Sequence, residues 1–184
     1  MKFTTKEMML VAIFATLTVL GSYLKIPVPP APITMQFFFV ALAGVLLGPR
    51  LGGMSILVFM LLGLLGVPVF SEGGGLAYIF RPTFGYIIGF VLGAVLIGYL
   101  SQKNTENKFS SYFMACLAGL ALIYTVGVPY LYYILKYVNG LPVDFGYVMN
   151  VGMLIFLPGD LLKSALTAIV AVSVIPKLKN SGVL

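Results

Sequence analysis

Residues 35–65 read MQFFFVALAGVLLGPRLGGMSILVFMLLGLL, two apolar runs separated by Gly48-Pro49-Arg50. Arg50 is the one charged residue in the stretch. A helix that spans a membrane needs about 20 mostly apolar residues, and adjacent Gly and Pro residues break helices. The stretch therefore predicts two membrane helices, 35–47 and 51–65, joined by a tight turn. The first is short, so we expect it to be tilted or to begin within the preceding loop.

The rest of the chain has the same apolar character. Of its 184 residues, 60% are hydrophobic and 9% are charged, whereas soluble domains carry about 25% charged residues. The mean hydropathy is +1.08. A soluble fold of this size cannot bury so much apolar surface, so we predict an all-α membrane protein that forms one domain over residues 1–184.

Cutting the sequence at charges and at Pro/Gly clusters gives six membrane helices. They are predicted at 6–24, 35–47, 51–65, 83–100, 109–135 and 159–175. The first follows Lys2 and Lys6 as the apolar part of a secretory signal would, but no small-residue cleavage site follows it, and we interpret it as a membrane helix.

The segment 145–157 is apolar but too short to cross a membrane alone. We predict a short lid helix there, ended by a break at Pro158-Gly159. One continuous helix over 145–175 is the alternative.

Orientation follows from the distribution of Lys and Arg between alternate ends of these helices. With the N-terminus inside, seven such residues are cytoplasmic and three are outside. The cytoplasmic set is Lys2, Lys6, Arg50, Lys103, Lys108, Lys177 and Lys179, and the outer set is Lys25, Arg81 and Lys136. Both termini are therefore predicted to be cytoplasmic. The Pro-rich loop 25–34 and the Gly-rich loop 66–82 then lie outside, where we expect them to cover a ligand pocket.

The sequence LPGDLLKSAL places two charges, Asp160 and Lys163, in an otherwise apolar stretch. Residues three apart lie on one face of a helix. Each charge costs about 3 kcal/mol on insertion scales, so such residues usually face the bundle interior or a wet cavity. One interpretation is structural, with Asp160 capping the helix and Lys163 either pairing with it or snorkelling to the membrane surface. The other is a pocket for a small solute that carries hydrogen-bond donors for Asp160 and a negative group for Lys163 or Arg81.

Three further polar residues are candidates for hydrogen bonds to such a solute: Gln36, Tyr86 and Asn150. On the first helix, Ala12, Ala15 and Thr16 form a patch of small residues that would let a partner helix approach closely.

Several function classes are excluded by what the sequence lacks. It has no His, no Walker motif, no Gly-x-Ser-x-Gly and no cluster of metal-ligand residues. Asp160 has no second carboxylate nearby for paired acid/base catalysis. The net charge of +6 comes from residues spread singly between helices, which indicates membrane topology rather than nucleic-acid binding. We therefore expect neither catalytic residues nor a bound metal or cofactor.

Three motifs, in this order along the chain, closely resemble those of a known family. They are PVPPAPIT at 27–34, LLGPRLG at 46–52 and PGDLLK at 158–163, with RPTFGYIIGF at 81–90 between the last two. This combination resembles the BioY family, the biotin-binding S components of energy-coupling factor (ECF) transporters. The resemblance covers most of the chain from Pro27 to Ala168 and is weakest over 100–147.

The resemblance implies a six-helix substrate-capture subunit in a prokaryotic plasma membrane, which binds biotin from outside. It also implies a transmembrane T component and two ATPases as partners, with the energy supplied by those ATPases. The ligand would lie under the outer loops, near Asp160 and Lys163. The family's Ala-xxx-Ala docking patch on the first helix corresponds here to AIFAT, with Thr16 in place of the second alanine.

Two alternatives to biotin capture remain at this point. An S component for another small water-soluble vitamin would share the fold and the charged pair. From a different class, an intramembrane enzyme or a purely structural scaffold is the other alternative, and neither would bind a solute through Asp160 and Lys163.

Overall fold

The structure is a computed structural model that describes residues 3–103 and 107–180. Of the predicted cytoplasmic charges, Lys2 lies outside the described residues, as does the side chain of Lys179. The elements in chain order are α1 (Thr5–Tyr23), β1 (Lys25–Ile26), β2 (Ile33–Thr34), α2 (Gln36–Leu64), a 3₁₀ helix (Leu76–Phe80), α3 (Phe84–Lys103), α4 (Phe109–Tyr133), a π turn (Ile134–Val138), α5 (Phe145–Met149), a second π turn (Asn150–Leu154) and α6 (Leu157–Asn180).

Within residues 3–103 and 107–180, five helical segments are long and apolar enough to cross a membrane. They are Thr5–Tyr23, Gln36–Leu64, Phe84–Lys103, Phe109–Val138 and Phe145–Leu178. Apart from two strands of two residues each, the described regular structure is helical. The predicted class, an all-α membrane protein, is therefore confirmed.

Helix α2 is broken in its middle, where the sequence predicts a turn. Gly48 has φ 77° and ψ −177°, which is not helical, and Pro49 follows it. A Cβ placed on Gly52 would lie 2.7 Å from the carbonyl oxygen of Ala43. In a straight helix residues nine apart are separated by about 13 Å. The chain therefore reverses direction at Gly48, and the two halves of α2 pack against each other.

The Pro-rich loop is a short antiparallel hairpin, with Lys25 opposite Thr34 and Ile26 opposite Ile33. Its base and the end of α1 are tied to the Gly-rich loop. Ser22 Oγ donates to the carbonyl oxygen of Val69 at 2.6 Å, and Lys25 Nζ donates to that of Ser71. The two loops that were expected to cover a pocket are thus joined to each other.

The end of the chain differs from the predicted lid helix followed by a break. Pro158 and Gly159 lie within the first turn of α6, which begins at Leu157. Proline is tolerated there because the first amides of a helix have no helical acceptor. The irregular backbone lies earlier, in the π turn Asn150–Leu154. Residues 145–178 form one helical segment long enough to cross a membrane, which is closer to the continuous alternative.

Glycines of α3 bring that helix close to α4. A Cβ on Gly85 would meet the side chain of Tyr130 at 2.3 Å, and a Cβ on Gly89 would lie 3.0 Å from the backbone of Ile123. Close contact of this kind is how small residues pack membrane helices. This close packing fixes the relative position of α3 and α4, which both line the cavity described next.

Candidate functional site

A cavity lies between α2, α3, α4 and α6, under the two joined loops. The space inside this lining, counted out through the open mouth, is about 650 Å³. The described lining is Ala31, Pro32, Thr34, Gln36, Phe37, Ser71, Tyr78, Thr83, Tyr86, Ile87, Phe90, Leu120, Ile123, Tyr124, Phe156, Asp160 and Lys163. Most of these side chains are apolar or aromatic, and the polar ones converge from five separate segments.

The charged pair predicted from the sequence lies at one wall of this cavity. Lys163 Nζ is 2.7 Å from Asp160 Oδ1, and both residues are buried, with exposed fractions of 7% and 8%. The second carboxylate oxygen, Oδ2, accepts a hydrogen bond from the Tyr124 hydroxyl at 2.5 Å. Neither charge snorkels to a surface. An ammonium group has three donors, so Lys163 has capacity left for an acceptor in the cavity.

Tyr86 joins α3 to the irregular backbone before α6. Its hydroxyl donates to the carbonyl oxygen of Gly152 at 2.7 Å, and Gly152 lies in the second π turn. The Tyr86 ring meets the Tyr124 ring edge-on, with centroids 6.5 Å apart. Tyr86 therefore contributes an aromatic wall to the cavity, while its hydroxyl is committed to the backbone.

Gln36 stands at the first residue of α2 with its amide inside the cavity. Its Oε1 accepts from Thr34 Oγ1 at 3.1 Å. Its Nε2 is buried and has no hydrogen-bond partner among the described residues. A buried amide that lacks an acceptor costs free energy, so this donor is suited to an acceptor on a bound solute.

Arg81 and Asn150 do not line the cavity. Both are exposed. Arg81 ends the 3₁₀ helix, and Asn150 begins the π turn. The structure thus brings together four of the six predicted ligand residues: Asp160, Lys163, Tyr86 and Gln36.

Several polar groups of the cavity were not singled out from the sequence. The Tyr124 hydroxyl bonds directly to the charged pair. Near the loops, the Tyr78 hydroxyl is 3.1 Å from Thr83 Oγ1 and 3.5 Å from Ser71 Oγ. The signal for Tyr124 was its position in the middle of an apolar helix. The loop hydroxyls carried no such signal, because polar residues are ordinary in loops.

The small-residue patch of α1 is divided between two environments. Ala12 and Thr16 are exposed, four residues apart on one face, and the Thr16 hydroxyl donates to the carbonyl oxygen of Ala12 at 2.9 Å. Ala15 is 4% exposed and packs in the core. Of the three residues of the patch, Ala12 and Thr16 are therefore accessible to a partner and Ala15 is not.

This arrangement suits binding better than bond-making chemistry. A buried acceptor and a buried donor lie side by side in an otherwise apolar cavity, which fits a neutral polar group that offers a donor and an acceptor next to each other. Within residues 3–103 and 107–180, no three His, Cys, Asp or Glu side chains are grouped as metal ligands would be.

Comparison with known proteins gives consistent results. A sequence model described as the BioY family matches residues 1–180. A protein of Lysinibacillus sphaericus named "Probable biotin transporter BioY" is 40% identical over 91% of this chain and 86% of its own. The "Biotin transporter BioY" of Thermotoga maritima is 36% identical over 90% of this chain and 94% of its own.

A solved structure also resembles this fold. It is the crystal structure at 2.1 Å of "the S-component for biotin from an ECF-type ABC transporter". The match covers 94% of each chain, with a TM-score of 0.80 and 27% sequence identity.

Proposed function

The chain belongs to the BioY family, and from that premise we propose that it captures biotin for uptake, as the substrate-binding S component of an ECF-type transporter. The observation that carries this proposal is the Asp160–Lys163 pair, buried in the wall of a largely apolar cavity under the joined loops. The relatives' names supply the identity of the solute.

The spacing of the pair supports one orientation of biotin. Biotin has a ureido ring, in which N–H groups flank a carbonyl, and a carboxylate at the far end of its side chain. Asp160 Oδ1 and Lys163 Nζ are only 2.7 Å apart, so they match neighbouring groups of one ring better than groups at opposite ends of the ligand. We assign the ureido N–H to Asp160 and the ureido carbonyl to Lys163. This replaces the expectation that Lys163 or Arg81 takes the carboxylate.

The carboxylate then points towards the loops. There the cavity offers the free Nε2 donor of Gln36 and the hydroxyl of Thr83. Lys25, tied to Ser71 of the lining, supplies a cation at that edge. Arg81 and Asn150 are left out of the proposed site, because neither lines the cavity.

We further propose six crossings with both termini cytoplasmic. The reversal at Gly48 supports counting α2 as two membrane helices, which adds one to the five long helical segments. An even number of crossings returns the chain to its starting side, and the Lys and Arg distribution favours the cytoplasm for that side. The loops over the cavity would then face outward, towards the supply of biotin, in a prokaryotic plasma membrane.

Energy for release would come from partner subunits. The sequence holds no Walker motif, so we propose a transmembrane T component and two ATPases as partners and assign no chemistry to this chain. Ala12 and Thr16 are the proposed contacts to the T component, because they form an exposed small-residue step on α1. Ala15 is not among the proposed contacts because it is buried.

Competition binding tests the identity of the solute. Purified protein in detergent is equilibrated with radiolabelled biotin, and a hundredfold excess of unlabelled biotin, thiamine or riboflavin is added. We expect biotin alone to displace the label. Displacement by another vitamin, or no bound label at all, would contradict biotin as the substrate.

A further inference from the structure

A second concave surface lies between α4 and the segment that includes α5 and α6, next to the cavity. Two rows of side chains spaced by four residues face each other across it: Leu117, Ala121, Thr125 and Pro129 on α4, and Phe145, Met149, Met153, Leu157 and Leu161 on the segment that includes α5 and α6. Leu120, Tyr124 and Val128 complete the lining. We call this surface the groove. Its space is about 930 Å³ including the open side.

The groove is apolar throughout its described length. Its two hydroxyl groups are already engaged, since Thr125 Oγ1 donates to the carbonyl oxygen of Ala121 at 2.8 Å and the Tyr124 hydroxyl donates to Asp160. No charged side chain of the described residues lines it. An occupant of this groove therefore makes apolar contacts and no hydrogen bonds to the walls.

The groove is long, and it opens to the surroundings of the helices. From Leu117 to Pro129 it follows α4 for about 18 Å, at 1.5 Å per residue. Ala121, Thr125 and Pro129 are exposed along its open side. Both walls belong to helical segments long enough to cross a membrane, so the medium that meets the open side is lipid. A linear chain fits this shape better than a compact solute does.

A cation stands at one end of the groove. The Phe145 ring, the first residue of the second row, packs edge-on against the Tyr132 ring with centroids 5.6 Å apart. Lys136 Nζ lies 5.0 Å from the centre of that same Tyr132 ring and donates to its hydroxyl at 2.6 Å. Lys136 is exposed and follows the end of α4. An ammonium beside the open end of the groove complements the phosphate of a phospholipid whose acyl chain lies in the groove.

We propose that the groove is a specific lipid site, which holds one acyl chain of an anionic phospholipid with the headgroup phosphate at Lys136. The walls, the length and the charge at one end select a phospholipid over a neutral solute. The site is separate from the biotin cavity, although Leu120 and Tyr124 form part of both walls.

Native mass spectrometry tests the proposal on the intact protein. The chain is reconstituted in an equal mixture of phosphatidylglycerol and phosphatidylcholine, extracted in mild detergent and measured for retained lipid. Wild type is expected to retain one phosphatidylglycerol per chain. Ala121→Phe fills the middle of the groove and should lower retention of both lipids at least fivefold. Ile169→Phe, which adds the same ring to an exposed position on α6 outside the groove, is the matched control and should leave retention unchanged.

The charge is tested separately. Lys136→Gln should reduce the preference for phosphatidylglycerol to the ratio in the mixture while a lipid is still retained. Lys103→Gln is its control, because Lys103 is also exposed and lies over a tyrosine ring, at 5.9 Å from Tyr99. Wild type that retains no lipid, or equal retention by Ala121→Phe and Ile169→Phe, would overturn the site. An unchanged preference in Lys136→Gln would overturn the phosphate contact.

Discussion

Replacing Lys163 by Met tests which end of biotin this lysine binds. Methionine is similar in length and fits an apolar wall, but it has no donor. The ammonium in the structure lies 2.7 Å from Asp160 Oδ1 inside the cavity. A hydrogen bond to a charged group contributes about 1.5–3 kcal/mol. Loss of that bond to the ligand corresponds to a Kd about 10- to 150-fold weaker.

The assay compares biotin with its methyl ester, which keeps the ureido ring and removes the carboxylate charge. If Lys163 binds the ureido carbonyl, Lys163→Met weakens both ligands by the same factor. If it binds the carboxylate, the variant weakens biotin and leaves the ester unchanged. Isothermal titration of both ligands to both proteins gives the four affinities. A loss confined to biotin would refute the proposed orientation.

The variant also leaves Asp160 buried without its cation, which costs about 3–5 kcal/mol of stability when one partner of a buried pair is removed. The double variant Asp160→Asn with Lys163→Met removes both charges and serves as the control. We expect its thermal unfolding temperature to recover most of the loss, while biotin binding stays weak. Recovery of binding in the double variant would mean that the single variant had failed through misfolding.

Three other tests follow from the structure. Tyr124→Phe removes the hydroxyl 2.5 Å from Asp160 Oδ2 and should weaken biotin binding by about 1–2 kcal/mol. An unchanged Kd for biotin by titration would show that Tyr124 does not position the Asp160 carboxylate for binding. Gly98→Ala would bring a Cβ within 2.4 Å of the Gly48 backbone and should lower the free energy of unfolding by about 1–3 kcal/mol. A Cβ on Gly159 meets nothing within 4 Å, so Gly159→Ala should raise the free energy of unfolding by up to about 1 kcal/mol. Thermal unfolding in the same detergent should therefore give a lower midpoint for Gly98→Ala than for Gly159→Ala. Ala12→Trp should abolish co-purification with the T component and leave biotin binding intact, and retained co-purification would remove this face of α1 from the interface.

The membrane fold was predictable because its signals are local. Long apolar runs define the helices, and Gly48 with Pro49 marked the reversal inside α2. The helix boundary near Pro158 was harder to predict. Proline breaks a helix interior but is accepted in a first turn, and the sequence does not show where the preceding π turn places that first turn.

The pairing of Asp160 with Lys163 in the cavity wall was predictable for a related reason. Asp160 and Lys163 are conspicuous in an apolar stretch, and their spacing puts them on one helix face. The rest depends on contacts between distant segments. Tyr124 meets Asp160 from another helix, and the exposed position of Arg81 depends on how the Gly-rich loop folds. Ala15 and Thr16 follow Ala12 by three and four residues, so they lie on opposite edges of the same helix face. Thr16 is exposed with Ala12, whereas Ala15 packs in the core. The five-residue motif alone does not show which of the two edges is buried.

The most direct test of the central claim is a biotin titration of the wild-type chain beside Asp160→Asn, both purified in detergent without partner subunits. Asparagine keeps the shape but lacks the negative charge that pairs with Lys163 and that, in the proposed site, strengthens the hydrogen bond from the ureido N–H. We predict saturable binding of one biotin per chain by the wild type and a Kd at least tenfold weaker for the variant. Equal affinity of the two proteins, or no saturable binding by the wild type, would contradict the account.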